Sequence, residues 1–352
     1  MHIEYSAFIL PHIGDKYSQC ADRFSCGEVN KCFAIADGVG NSLFPGDWAS
    51  LLCNDFKDHP ALFTDNSHLV REASLIAKWE NLRNLRTENL TDNERFIYET
   101  GLDKADFAAS TFVGLSLYED HWSCEAIGDS YLFLVDSSYN IIKKIASMDG
   151  REFGNYPEYF GSKIGRNNGS VIKQIGTYED VLFFVLMTDA LSDWFIETTQ
   201  EKRARLLGIN SHSDFEAIIN RERELQALKD DDTTIVFLKI EQDNSKEISF
   251  ITTFNQVDDI DLLISGEKED ISRNVSKTIN DNKDVVNIIA FPNMVEKEVE
   301  DTEKNGSDIN QPDIAEIERI AKEYRQYGKK KARAAIKTLL SYIYGTSHKR
   351  SN

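Results

Sequence analysis

The sequence predicts an α+β protein built on antiparallel sheets. Seven short segments are rich in aromatic and β-branched residues and are bounded by polar turn residues, as is typical of strands. These segments come in runs, and stretches with helical spacing lie between the runs. Because regular alternation of strand and helix would instead indicate parallel βαβ units, this order favours antiparallel sheets.

The predicted strands are, in chain order, YSAFIL, KCFAIAD, STFVGLSLY, HWSCEAIGD, SYLFLVD, VLFFVLMTD and TTIVFLKI. The predicted helices are GDWASLLCNDF, the stretch from about Ser67 to Leu85, and SDFEAIINRERELQAL. The last of these helices opens with Ser213 and Asp214, residue types that cap helix N-termini.

Length and charge limit the classes of function. A chain of 352 residues can form one large domain with an extension, or two modest domains. Its formal net charge of −19 argues against general binding of nucleic acid, whereas clusters of acids can bind divalent cations. No apolar run approaches the length of about 18 residues that indicates a membrane-spanning helix. The first residues lack the pattern of a signal peptide, so we expect no transmembrane segment and a cytoplasmic location.

Composition divides the chain into three parts. Residues 1–240 contain the predicted strands and helices and form the predicted domain. Residues 241–312 are strongly acidic and have little apolar periodicity, so they are interpreted as a linker. Residues 313–345 have the pattern of an amphipathic helix with the basic run KKKAR. This run is a solvated helix face, a docking surface for a partner, or a patch that binds an anionic surface.

The stretch FAIADGVGNS places Asp37 directly after an apolar run and before two glycines. Asp37 could cap a helix, begin a phosphate-binding glycine loop, or bind a metal at the end of a strand. Four more acids, Asp22, Asp129, Asp189 and Asp231, also lie just before or just after an apolar strand-like run. Carboxylates delivered to one place by several strands suit hard divalent cations such as Mg²⁺ and Mn²⁺.

The sequence resembles a known family in five segments that follow one another in order and at suitable spacing. They are DKYSQCADRF, FAIADGVGNSLFPGDWAS, STFVGLSLYEDHWSCEAIGDSYLFLV, VLFFVLMTDALSDWF and KDDDTTIVFL. They are similar to the motif series of the metal-dependent protein serine/threonine phosphatases of the 2C type, over about residues 1–240. The short DGVG form resembles that of bacterial members.

This resemblance implies a fold and a set of ligands. The implied fold is a four-layer α/β/β/α sandwich of two antiparallel sheets flanked by helices, with a C-terminal extension beyond it. The implied cofactors are two or three Mn²⁺ or Mg²⁺ ions in a cleft at one end of the sheets. Asp37 resembles the acid that bridges two ions, and Gly38 resembles the glycine whose carbonyl binds one of them. The other implied ligands are Asp22, Asp189, Asp231 and, for a third ion, Asp129.

The chain departs from the family pattern at positions that matter for phosphate. The arginine that usually holds the substrate phosphate is replaced by Tyr17, and Lys16 beside it is the predicted substitute. Tyr131 replaces the arginine of Gly-Asp-Ser-Arg, and Val39 stands where some members have a histidine. In KDDDTT the register is ambiguous by one residue, so Asp230 or Asp232 is an alternative to Asp231.

The predicted function is hydrolysis of phosphoserine and phosphothreonine in proteins by a water that two metals activate. Asp37 and Lys16 are the predicted catalytic residues. The predicted partners are a phosphoprotein substrate and a serine/threonine kinase whose signalling the enzyme opposes. The alternative is a catalytically weak phosphatase-like scaffold that binds a phosphoprotein or a partner kinase, which the missing arginine favours.

Overall fold

A computed structural model describes residues 1–40, 42–60, 68–88, 107–150, 157–241 and 247–255. The helical segment predicted at 313–345 lies outside the described residues, as does most of the predicted acidic linker. No helix among the described residues is long and apolar enough to cross a membrane.

The described chain contains strands and helices in mixed order. The strands are β1 (His2–Leu10), β2 (Arg23–Gly27), β3 (Cys32–Ala36), β4 (Ala109–Ser110), β5 (Phe112–Leu117), β6 (Trp122–Ile127), β7 (Tyr131–Val135), β8 (Ile141–Ile145), β9 (Phe160–Gly161), β10 (Ile172–Gly176), β11 (Phe183–Met187), β12 (Thr233–Glu241) and β13 (Ser249–Asn255). The helices are α1 (Pro45–Asp58), α2 (His68–Glu88), α3 (Asp189–Glu197), α4 (Gln200–Leu207) and α5 (His212–Glu224).

The strands form two large sheets and a short two-stranded one. The six-stranded sheet has the order β13-β1-β12-β11-β7-β8, and the five-stranded sheet has the order β10-β6-β5-β3-β2. Strands β4 and β9 pair with each other. The named pairings are antiparallel except that of β13, which runs parallel to β1. The prediction of an α+β protein with antiparallel sheets is therefore confirmed.

Aromatic side chains connect the two large sheets. The rings of Tyr5 in β1 and Phe33 in β3 have centroids 5.2 Å apart. The rings of Trp122 in β6 and Phe184 in β11 are 5.7 Å apart. Because these strands belong to different sheets, the sheets pack against each other through a shared aromatic core.

Helices pack on both large sheets. Helix α1 packs on the five-stranded sheet, where the rings of Phe56 and Phe112 are 5.4 Å apart. Helices α3 and α5 pack on the six-stranded sheet, where Phe195 lies 5.1 Å from Phe133 and Phe215 lies 5.2 Å from Phe8. Each helix buries an apolar face in this way, which accounts for most of its stability.

Strand β13 lies beyond residue 240, the predicted end of the domain. Strand β13 extends the six-stranded sheet by pairing with β1, and Phe254 stacks on Phe8 with centroids 4.7 Å apart. The compact unit that contains the described residues spans Met1–Asp258. This strand was not predicted, because the segment SFITTFN is short and follows a change to acidic composition after Ile240. In the structure it is only partly buried.

Candidate active site

Asp22 and Asp37 lie at the same end of the five-stranded sheet. Strands β2 and β3 are antiparallel, and Arg23 at the start of β2 pairs with Ala36 at the end of β3. Asp22 directly precedes β2 and Asp37 directly follows β3. The local strand pattern therefore places the two acids side by side.

Asp129, Asp189 and Asp231 share one end of the six-stranded sheet. Met187 at the end of β11 pairs with Tyr131 at the start of β7 and with Ile235 near the start of β12. Each acid lies two residues outside the strand end that it adjoins. Three strand ends thus bring three carboxylates together.

The turn between β6 and β7 joins the two groups of acids. It carries Asp129 and passes from the five-stranded to the six-stranded sheet. Ile127 at the end of β6 pairs with Phe112 at the start of β5, whose next residue, Val113, pairs with Ile35 in β3. The end of β6 is therefore the same end of the sheet that carries Asp37.

Asp22 is held rigidly inside the protein. Its side chain is fully buried, and one carboxylate oxygen, Oδ2, accepts hydrogen bonds from the hydroxyls of Thr234 at 2.7 Å and Thr188 at 2.8 Å. Burial and the charge of Asp232 raise the pKa of Asp22 well above its usual range, more than the two hydroxyls lower it. The other oxygen, Oδ1, has no hydrogen-bond partner.

The backbone of Asp37 is fixed on both sides. Its carbonyl accepts hydrogen bonds from the N–H of Thr111 and the hydroxyl of Ser110, both at 2.8 Å. Its N–H donates to the Thr111 hydroxyl oxygen, which also bonds to Ser130 beside Asp129. These contacts determine where the carboxylate of Asp37 can lie, and they connect it to the loop of Asp129.

The electrostatics show that Asp37 is central among the acids. Burial raises the pKa of Asp37 well above its usual range, and the charges of Asp22, Asp189, Asp129 and Asp231 raise it further. Because the effect of like charges on ionisation weakens with distance, these four carboxylates lie near Asp37. The predicted ligand side chains are thus brought to one place.

The pKa values of Asp129 and Asp189 are also raised. Burial, followed by the charge of Asp189, raises the pKa of Asp129 to about 7. Burial and the charge of Asp231 raise the pKa of Asp189, against the lowering effect of Lys229. The cluster therefore favours binding of positive charge, since a cation would relieve the repulsion.

The three acids of KDDDTT have different surroundings. Asp232 accepts hydrogen bonds from the backbone N–H groups of His12 at 3.0 Å and Ala21 at 2.6 Å. Asp230 accepts one from the N–H of Ile13 at 3.0 Å. These two carboxylates hold the loop before β2, whereas Asp231 is coupled to Asp189 and Asp37. The charge of Asp232 acts on Asp22, so the assignment of Asp231 as the ligand stays a prediction.

The cluster fits hard divalent cations. In the part of the chain that the structure describes, no three His, Cys, Asp or Glu side chains are arranged to hold a metal ion as they stand. Mg²⁺, however, keeps several waters and is bound through only one or two carboxylates. Asp22 Oδ1 and Asp129 Oδ1 are both buried and have no hydrogen-bond partner, an arrangement that a cation would satisfy.

The first loop carries the residues predicted to bind phosphate. Lys16 is exposed, and its backbone N–H donates to the side chain of Gln19 at 3.0 Å. The hydroxyl of Tyr17 lies 2.8 Å from Nε2 of His212, the first residue of α5. The role of Lys16 in phosphate binding stays a prediction.

Gly38 is required by close packing. A Cβ at this position would lie 2.7 Å from the carbonyl carbon and from Cβ of Pro45 in the first turn of α1. Its N–H donates to the carbonyl of Ala21, which precedes Asp22. Gly38 therefore holds α1 and the two acid-bearing loops together, and the role of its carbonyl as a ligand stays a prediction.

One functional candidate was missed in the sequence. The ammonium of Lys229 lies 2.6 Å from Asp231 Oδ2 and 3.8 Å from Asp189 Oδ2. Burial lowers the pKa of Lys229, but its hydrogen bond to Asp231 and the charges of Asp189 and Asp37 raise it on balance. The sequence signal that could have identified Lys229 was its position two residues before Asp231.

The sequence matches no protein-family model and no curated protein. The fold is similar to solved structures of phosphatases. One is a bacterial serine phosphatase, 15% identical, with a TM-score of 0.45 over 69% of this chain and 100% of that one. Another is the serine/threonine phosphatase Stp1 from Staphylococcus aureus, 15% identical, with a TM-score of 0.44 over 68% and 95%.

A third solved structure is the catalytic domain of the serine threonine protein phosphatase PstP in complex with two manganese ions. It is 16% identical, with a TM-score of 0.42 over 68% of this chain and 99% of that one. At these identities and scores the likeness does not by itself assign a function.

Proposed function

We propose that the chain is a metal-dependent protein serine/threonine phosphatase of the 2C type. The observation that carries the proposal is the convergence of Asp22, Asp129, Asp189 and Asp231 around Asp37 at one end of two packed sheets. The ordered motif series supports it. The helix and sheet contacts also support the four-layer sandwich that this family implies.

The proposed site binds two or three Mn²⁺ or Mg²⁺ ions through the five carboxylates and the carbonyl of Gly38. Such ions supply a hydroxide near neutral pH and neutralise phosphate oxygens. The threonines on Asp22 and the hydroxyls on the Asp37 backbone keep the carboxylates in position. The proposed reaction needs no protein nucleophile, so the role of the side chains is to bind and orient the ions.

The proposed substrate is a phosphoserine or phosphothreonine protein. A partner serine/threonine kinase and a cytoplasmic location belong to the same proposal and come from the sequence. The net charge of −19 favours a substrate region that is basic around its phosphate, because an acidic one would be repelled.

The test is the change of Asp37 to Asn, which keeps the shape and removes the central charge. We expect Asp37→Asn to lower the Mn²⁺-dependent turnover of p-nitrophenyl phosphate and of a phosphothreonine peptide roughly a hundredfold or more, the order for losing an electrostatic group at a reacting centre. Far-UV circular dichroism should be unchanged.

Asp120→Asn is the matched control. Asp120 is an exposed aspartate in the turn between β5 and β6, at the opposite end of the sheet from Asp37. It should keep normal turnover, and a chelator should abolish turnover in both the control and the parent. Normal turnover of Asp37→Asn would contradict the proposal.

A second candidate function is a scaffold that binds a phosphoprotein without efficient turnover. The observation that favours it is Tyr17, which occupies the position of the usual arginine and contacts His212 instead of offering a cation. Binding of Mn²⁺ and of a phosphopeptide without hydrolysis would support the scaffold.

A further inference from the structure

Lys229 is a half-exposed cation at the rim of the acidic cluster. Its ammonium contacts Asp231 and Asp189, while 55% of its side chain remains open to solvent. It precedes β12 in the same loop as Asp231. A long flexible side chain in this position can turn from the carboxylates to a ligand in the cleft without any movement of the backbone.

Two arginines near the cluster are committed to other groups. Arg23 is buried, and its Nη1 donates to the carbonyls of Cys20 and Asp22. Arg223 is buried too, and it donates to the carbonyls of Pro11 and Asp231 and to the Thr233 hydroxyl. Moving either guanidinium would leave buried carbonyls without donors, which is costly. Neither arginine is therefore available for a ligand.

The partners of Lys229 change when cations bind. Asp231 and Asp189 attract its ammonium only while their charges are not neutralised. Divalent ions on the same carboxylates would take over that negative charge and repel the ammonium. The strongest anion then within its reach is a phosphate placed in the cleft.

We propose that Lys229 binds the phosphate group of the substrate and takes the role of the arginine that Tyr17 replaces. The proposal rests on the proposed function and assigns to Lys229 the role that the sequence suggested for Lys16. In the absence of divalent ions the same ammonium pairs with Asp231 and Asp189 and competes with metal for them. Loss of the ammonium should thus weaken phosphate binding and strengthen metal binding.

The experiment measures both affinities by calorimetry on the full chain. The variant is Lys229→Gln, which keeps a polar side chain, one bond shorter, and removes the charge. Inorganic phosphate titrated into Mn²⁺-loaded protein should bind about tenfold more weakly than to the parent, which corresponds to about 1.4 kcal/mol. Mn²⁺ titrated into the metal-free variant should bind several-fold more tightly.

Two further variants serve as controls. Lys229→Arg keeps a cation that pairs well with phosphate, so it should restore phosphate affinity to near that of the parent. Lys239→Gln removes a lysine within β12 that also has two carboxylate partners, Glu4 at 3.2 Å and Glu241 at 2.9 Å. It should change neither affinity.

The outcomes separate this inference from the proposed function. Unchanged phosphate affinity in Lys229→Gln, or equal losses in Lys229→Gln and Lys239→Gln, would overturn the role of Lys229. A parent that binds Mn²⁺ and phosphate but hydrolyses no phosphoester would overturn the proposed function alone. A parent that binds no phosphate in the presence of Mn²⁺ would overturn both.

Discussion

Single residues hold the acids in place through contacts with neighbouring backbone. Gly38 is one example, because its missing side chain allows the first turn of α1 to lie against the loop of Asp37. Asp232 is another, because its carboxylate binds two N–H groups of the loop that leads to Asp22. The arrangement of the cluster thus depends on residues that are not in it.

Gly38→Ala should destabilise the protein and lower its activity. The added Cβ would meet backbone and side-chain atoms of Pro45 at 2.7 Å, which forces α1 or the Asp37 loop to move. Overpacking of this kind costs about 1–3 kcal/mol. Urea unfolding and Mn²⁺-dependent turnover measure the two effects.

Gly40→Ala is the matched control for that change. A Cβ at Gly40 meets no atom within 4 Å, and Gly40 is exposed in the same loop. Its free energy of unfolding should stay within about 0.5 kcal/mol of the parent, as at most surface positions. Equal effects of the two substitutions would refute the packing argument.

The acids could be predicted from sequence because each adjoins an apolar strand. The residues that support them could not be predicted in this way. Thr188 and Thr234 reach Asp22 from positions 166 and 212 residues away. Lys229 was overlooked because a lysine beside three aspartates has the pattern of an ordinary solvated loop.

At the scale of the elements, we predict that strand β13 stabilises the fold. Its Phe254 stacks on Phe8, and its Phe250 lies 5.8 Å from Phe33 and 6.5 Å from Tyr5. A chain ending at Asp258 keeps this strand, whereas one ending at Asp243 loses it. We expect the shorter chain to be less stable by about 2–4 kcal/mol, since burying one phenylalanine fully contributes about 1.5–3 kcal/mol.

Urea unfolding of the two truncated proteins measures the difference. The chain ending at Asp258 should also hydrolyse p-nitrophenyl phosphate at the rate of the full chain, because all the acids precede β12. Equal stability of the two truncated proteins would show that β13 adds nothing to the sheet. If the chain ending at Asp258 did not hydrolyse p-nitrophenyl phosphate, part of the active site would lie in the residues after Asp258.

The sequence predicted the buried elements better than the exposed ones. Strands β3, β5, β6, β7 and β11 are buried at every position, and each was predicted from its apolar run. The edge strands β8 and β10 are partly exposed and carry lysines, so their patterns are weak. The missed helices α3 and α4 are only nine and eight residues long, too short to show a helical period clearly.

At the scale of the whole molecule, the acidic cluster opposes folding until a cation arrives. The carboxylates near Asp37 repel one another, and those of Asp22 and Asp129 are buried. Asp37→Asn should therefore make the metal-free protein more stable by about 1 kcal/mol, the order of one close charge pair in a polar environment. Chemical unfolding in the presence of a chelator measures this gain.

With Mn²⁺ bound, we expect the stabilisation by the ion to require Asp37, whereas Asp37 destabilises the metal-free protein. A ligand that binds only the folded state at 100 times its Kd stabilises it by about 2.7 kcal/mol. The parent should gain stability of this order with Mn²⁺, and Asp37→Asn should gain much less. An equal gain in both proteins would place the bound ion away from Asp37.

The general fold and the end of the sheets that carries the acids could be predicted from sequence. The limit of the folded unit could not, because composition changes at Ile240 while pairing continues to Asn255. The predicted roles of the acids as ligands, and of the basic segment at 313–345, remain predictions.

The pairing of β1 has a consequence for synthesis. Its two neighbours, β12 and β13, lie more than 220 residues later, with His2 opposite Glu241 and Ser249. A ribosome adding about 5–20 residues per second needs roughly 10–50 s to supply them. Throughout that interval the apolar strand His2–Leu10 has no native partner on either edge. Until β12 and β13 have been synthesised, this strand is therefore open to non-native contacts and to aggregation.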